Sequence, residues 1–104
     1  MMYHITFKTN YPKLKNKEFT TIRKNSHGKY IGHDVLIYSP LMAPFVATIY
    51  DIKRASLMQL SDKFLMADTC TKSRAMAIAL LNSFYKNPIK LNEKLYVFYL
   101  RRKL

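Results

Sequence analysis

The sequence predicts an α+β fold: a small, partly closed β-barrel with one main helix over about residues 73–86 and a short helix or turn near 57–65. Three observations lead there. Runs of β-branched and aromatic residues recur along the chain, separated by Gly, Pro and Asn. Only Ser73–Lys86 carries a sustained apolar period of 3.6 residues. The chain has 104 residues, 49% of them hydrophobic, which suits one core and a single domain over 1–104. Closure is favoured because several short strands in so small a chain would otherwise leave exposed edges.

Tyr3–Phe7 alternates in a β-prone composition and reads as a first strand, followed by a lysine-rich connection containing Pro12. Phe19–Arg23 is a second strand. Lys24–Lys29 supplies turn chemistry, with Gly28 free to take a positive φ. Asp34–Ser39 is a third strand, and Pro40 and Pro44 bracket a short loop. From Phe45 to Leu57 a longer strand sets Phe45, Ala47 and Ile49 on one face and Val46, Thr48, Tyr50 and Ile52 on the other. In the helix, Ala77, Leu80, Leu81, Phe84 and Tyr85 form the apolar stripe. Ser73 or Thr71 can cap its start and Asn87-Pro88 stops it. Leu95–Leu100 is the last strand.

The charge is lopsided: 18 Lys and Arg against 6 Asp and Glu, for +12. Residues 1–30 carry +6, residues 31–70 carry −1 and residues 71–104 carry +7. If the two ends are spatial neighbours they merge into one positive face, which points to a polyanionic partner. The longest apolar run, Ala75–Leu81, falls far short of the roughly 18–20 residues of a membrane span, and Met1–Lys8 has no signal-peptide character. The expectation is a soluble, cytoplasmic protein that does not engage a membrane. The single cysteine, Cys70, has no CxxC partner and reads as an unreactive structural thiol. His4, His27 and His33 have no metal-ligand spacing, so neither a metal nor another cofactor is expected. The six methionines, Met1, Met2, Met42, Met58, Met66 and Met76, form no stripe and read as core fillers.

The segment Lys17-Glu18-Phe19-Thr20-Thr21-Ile22-Arg23-Lys24 carries the most chemistry. On a strand, Thr21 and Arg23 share a face, so a hydroxyl and a planar guanidinium fork project side by side, a pair suited to phosphate. The plainer alternative is a structural ion pair of Arg23 with Asp68 or Asp51. Basic residues interleaved with aromatics form a second constellation: Lys29 beside Tyr30, Tyr50 ahead of Lys53 and Arg54, and Tyr85 beside Lys86. Such mixtures stack bases and neutralise phosphates, which suits single-stranded or looped RNA. Tyr85, Tyr96 and Tyr99 read as core or rim residues, and Arg101-Arg102-Lys103 reads equally well as a solvated tail.

The succession of strand, Thr-Thr-Ile-Arg, Gly-containing turn, Asp-Val-Leu-Ile, Phe-Val-Ala-Thr-Ile, Asp-Thr, helix and Leu-Tyr-Val-Phe-Tyr-Leu resembles the ASCH domain family, small archaeal-type members above all, from about His4 to Leu100. The resemblance implies a PUA-like β-barrel and RNA binding; with the Thr21–Arg23 strand face and the basic–aromatic constellation, the expected RNA contacts are Thr21, Arg23, Lys24, Lys29, Tyr30, Lys53 and Arg54. It also implies an alternative, an RNA-processing enzyme, either an amidohydrolase on acetylated cytidine or a ribonuclease. Family members carry a Gly-x-Lys segment ahead of a Glu or Thr that lies two residues before an Arg. Arg23 and Thr21 match that Arg and Thr. Asn16 stands at the Gly position and Glu18 at the Lys position, leaving Lys17 one place off. The family's carboxylate precedes the helix, where Asp68 lies, although an ungapped count back from the helix lands on Cys70. The implied catalytic group is Lys17, Thr21 and Asp68, and the plainer reading of Asp68-Thr69 is a turn or capping pair. The charge alone suits DNA or an acidic protein surface as well as RNA, and the sequence sets no oligomeric state.

Overall fold

The computed structural model describes residues 3–103, so the core role expected of Met1 and Met2 lies outside the described residues. Strand β1 (Tyr3–Thr6) pairs in parallel with β3 (Asp34–Ser39), and β3 runs antiparallel to β4 (Met42–Ala55). β4 is antiparallel to β5 (Leu95–Arg102), which is antiparallel to β2 (Glu18–Arg23). The five strands form one mixed sheet in the order β1-β3-β4-β5-β2. Two helices, α1 (Asp62–Thr69) and α2 (Arg74–Ser83), and a 3₁₀ turn at Pro12–Lys15 complete the α+β fold.

The expected barrel does not close. β1 and β2 are the two ends of the sheet and share no ladder. β1 has four residues, after which the chain leaves the sheet toward the Pro12–Lys15 turn, so no strand remains to pair along β2. The sheet still curls until its ends meet. Arg23 of β2 donates from Nη2 to the Thr6 carbonyl of β1 at 3.2 Å, and the Phe7 and Phe19 rings lie 6.4 Å apart. Side chains, not backbone, bridge the gap.

A β-bulge in β4 between Ile49 and Asp51 helps bend the sheet and corrects the expected facing. One extra residue flips the alternation, so Ile52 packs with Phe45, Ala47 and Ile49 instead of opposite them. Pro44 lies inside β4, in the irregular stretch where its register to β3 shifts, and the loop is reduced to a turn at Pro40-Leu41. Apolar clusters cover both faces of the sheet. Phe19, Phe98 and Leu100 pack inside the curl, while Val97 and Leu95 pack with Leu65, Ala77 and Leu81 of the helices.

Serine caps start both helices: Ser61 Oγ accepts from Phe64 N and Ser73 Oγ from Met76 N, each at 3.1 Å. The short helix starts and ends later than expected, at 62–69, which takes Asp68 and Thr69 out of a turn and into its last turn. α2 stops at Ser83, earlier than Lys86, because Asn82 turns its Oδ1 to the N–H of Ile89 at 2.8 Å and the chain bends there. Phe84 and Tyr85 therefore leave the helical stripe. Met58 and Met76 are exposed and do not fill the core. Cys70 is exposed too: it ends α1 in the left-handed region at φ 57°, which turns its side chain away from the interior expected for a structural thiol. The Arg101–Lys103 run is no tail. Arg101 and Arg102 belong to β5, and Arg102 lies over the Phe45 ring at 3.6 Å. Among the described residues no helix is long and apolar enough to cross a membrane.

Candidate functional site

The gap between the sheet ends holds a cavity of about 160 Å³. Its polar lining includes Lys13, Thr21, Arg23 and Asp68, with Lys8 also present, and its apolar walls combine Phe7, Tyr11, Phe84 and Tyr85 with Leu80 and Leu81. Three of the four residues singled out in sequence, Thr21, Arg23 and Asp68, converge here. Lys17 does not. It sits beyond the Pro12–Lys15 turn and contributes only its carbonyl, to the Arg102 N–H at 2.7 Å. The ammonium comes from Lys13 instead. Pro12 opens the turn and Leu14, fully buried, pins it to the body, which sends Lys13 inward.

Lys13 Nζ lies 3.3 Å from Asp68 Oδ1 and donates to the Thr20 carbonyl at 2.6 Å and to the Asp68 carbonyl. Thr20 donates its hydroxyl to the same Asp68 Oδ1 at 2.5 Å. The carboxylate is only 4% exposed as a residue and is held by both groups. Burial drives the Lys13 pKa below the usual lysine value, and the charge and hydrogen bond of Asp68 work against that fall. The sheet alternation explains the division of labour: Thr20 faces α1 and positions Asp68, whereas Thr21 faces the inside of the curl.

Arg23 makes no ion pair, so the structural salt bridge to Asp68 or Asp51 is absent among the described residues. Its Nε donates to Thr21 Oγ1 at 3.0 Å and its guanidinium lies 5.1 Å from the Phe7 ring centre. Burial lowers the Arg23 pKa, opposed by Tyr85 and Asp68. Because Thr21 Oγ1 accepts from Arg23, its own proton points elsewhere, and among the described residues it donates to no protein group. A hydroxyl with an unspent donor therefore lines the same cavity as a buried ammonium–carboxylate pair.

Lys24 and Lys29 line a second, adjoining cavity of about 250 Å³. The remaining expected RNA contacts lie outside both cavities. Tyr30 is 60% exposed, with its ring 4.0 Å from His33. Lys53 lies over Tyr99, on the helix side of the sheet, and Arg54 over Tyr96 at 4.0 Å. Arg54, Tyr96 and Arg23 are register partners across β4, β5 and β2, so Arg54 extends the row that ends at the cavity mouth. The two basic segments of the sequence do meet, since residues 18–23 pair with residues 96–101.

Sequence reasoning missed Lys13 and the aromatic walls. Pro12 followed by the lone apolar Leu14 in a lysine-rich stretch was the available signal for a segment folded against the body. Comparisons with protein-family models, with curated proteins and with solved structures return no match to this chain.

Proposed function

We propose that this chain is an ASCH-type RNA-binding protein that takes one unstacked pyrimidine at a time into the cavity between the sheet ends. The carrying observation is that cavity: about 160 Å³, aromatic-walled, with ammonium, guanidinium, hydroxyl and carboxylate groups at its polar side. A void of about 150 Å³ accepts one benzene-sized ring, so this space matches one six-membered base and not a stacked pair. Carboxylate and hydroxyl suit the donor and acceptor edge of a base, and aromatic faces suit its ring. The net charge of +12 supplies the sequence-independent attraction for phosphates.

The test is a titration with short single-stranded RNA. Binding should weaken with salt at a log–log slope of about −0.7 per phosphate contact, and Thr21→Ala should weaken pyrimidine-containing RNA more than purine-only RNA. Salt-insensitive binding, or preference for DNA or an acidic polypeptide in competition, defeats the reading.

The second reading is an amidohydrolase, favoured by a Thr21 hydroxyl proton that no protein group accepts among the described residues, in a cavity that Lys13 and Asp68 also line. In that reading Thr21 Oγ1 bonds to the acyl carbon, its proton reaches the departing N4 amine by way of Lys13 as the C–N bond breaks and cytidine leaves, and water then frees acetate from Thr21. Incubation with acetylated cytidine separates the two: release of cytidine that disappears in both Thr21→Ala and Lys13→Met supports the enzyme, and binding without turnover supports the module.

A further inference from the structure

The second cavity shares Thr6, Arg23 and Tyr85 with the first, so the two are compartments of one depression. Their chemistry differs sharply. The first contains a carboxylate, whereas the second is lined by Arg23, Lys24, Lys29, His4 and His27 with no carboxylate among them. None of these side chains enters an ion pair among the described residues. Three cations, Arg23, Lys24 and Lys29, around one hollow with no carboxylate in its lining form an anion site by elementary electrostatics.

The site is built. Lys24 donates its backbone N–H to Tyr85 Oη at 3.1 Å, lays its ammonium over the Tyr85 ring at 4.9 Å and donates from Nζ to the Asn87 carbonyl at 3.0 Å. His27 and Gly28 both have positive φ, 50° and 77°, and the Lys29 N–H bonds to the Ser26 carbonyl at 3.0 Å. That is the geometry of a tight turn with two left-handed central residues, which holds Lys29 over Tyr3 at 5.8 Å. A Cβ at Gly28 would meet the Tyr3 hydroxyl at 3.5 Å in a strained backbone, so the turn depends on glycine. Burial first, and then the charge of Arg23, lower the Lys29 pKa, a fall that a bound anion would oppose.

We infer that the second cavity is a phosphate subsite and that the ligand is a pyrimidine nucleotide, its base in the first cavity and its phosphate among Arg23, Lys24 and Lys29. This rests on the base-pocket reading above and adds the class of ligand: a phosphorylated nucleoside or one residue of an RNA strand, not a free nucleoside. Arg23 is the hinge of the arrangement, because it lines both compartments.

Calorimetric titration of the full chain with cytidine, cytidine 5′-monophosphate, cytidine 3′-monophosphate and inorganic phosphate tests this. At least one monophosphate should bind about tenfold or more tightly than cytidine, as charge-assisted hydrogen bonds to a phosphate would give. Whichever monophosphate is favoured identifies the phosphate that the subsite holds. In Lys24→Met/Lys29→Met the nucleotide-to-nucleoside ratio should fall to within about twofold, a ratio that cancels any loss of folded protein. Cytidine binding with no gain from either phosphate overturns the subsite and leaves the base pocket standing. Phosphate binding without any cytidine binding overturns the base pocket and the nucleotide with it. A ratio that persists in the double variant overturns the placement in this cavity.

Discussion

Between β4 and β5 the chain satisfies its backbone with a ladder that runs from Ala47↔Arg102 to Ala55↔Leu95, interrupted by one bulge. Between β1 and β2 there is no ladder, and one guanidinium spans from Arg23 to the Thr6 carbonyl. The first seam buries apolar side chains on both faces, Phe98 and Leu100 on one and Val97 and Leu95 on the other. The second leaves strand edges whose polar groups must be met by side chains, as Lys13 meets the Thr20 carbonyl. Where backbone pairs with backbone, the space closes and stability follows from packing. Where it does not, charged side chains are drawn inward and a cavity with chemistry remains.

That contrast can be broken first at the ladder. Phe98→Ala, at a residue 1% exposed, should cost about 3–5 kcal/mol in urea unfolding, because the curl cannot collapse around the void. At the gap, Asp68→Ala should cost about 3 kcal/mol by leaving the Lys13 ammonium buried without its partner, and Lys13→Met/Asp68→Leu should recover most of it. A double variant as unstable as Asp68→Ala would mean that the pair is not what holds the gap.

A smaller effect sharpens the same point through pH. Lys13 has a folded pKa below its unfolded value of 10.5, so the unfolded chain binds more protons between those two values. Stability therefore rises with pH through that window. Lys29 acts with the same sign, so the measurement is the difference in slope between the protein and Lys13→Met, which should be shallower. The smallest change lies on the solvated rim of the ladder. Glu18→Gln removes the exposed ion pair with Arg101, at 2.8 Å, and should cost less than about 1 kcal/mol, vanishing in high salt.

Much of the ladder was legible in the sequence. Asp34–Ser39 has the boundaries its alternation predicts, and Ala77 and Leu81 of the helical stripe are buried where the period puts them. Both signals are local, carried by side chains that repeat with the backbone. The gap was half legible. Thr21 and Arg23 share a face because strands alternate, but their meeting with Asp68 depends on how α1 docks on β2. Lys13 could not be told from Lys15 or Lys17 by type or spacing; the burial of Leu14 selects it. Ile52 changed faces through a bulge that leaves no mark in composition.

The sequence by itself determined that this is a strongly basic α+β chain with its bases at the two ends, and that a hydroxyl and a guanidinium stand together on one strand, since composition and a period of two need no third dimension. Only the tertiary structure decided that the sheet curls without closing, that Lys13 and not Lys17 is the buried ammonium, and that two adjoining cavities, one of them with a carboxylate, share Arg23. Those outcomes depend on which distant segments meet at an unpaired edge, and burial changes the chemistry of a lysine in a way that its position in the chain does not encode.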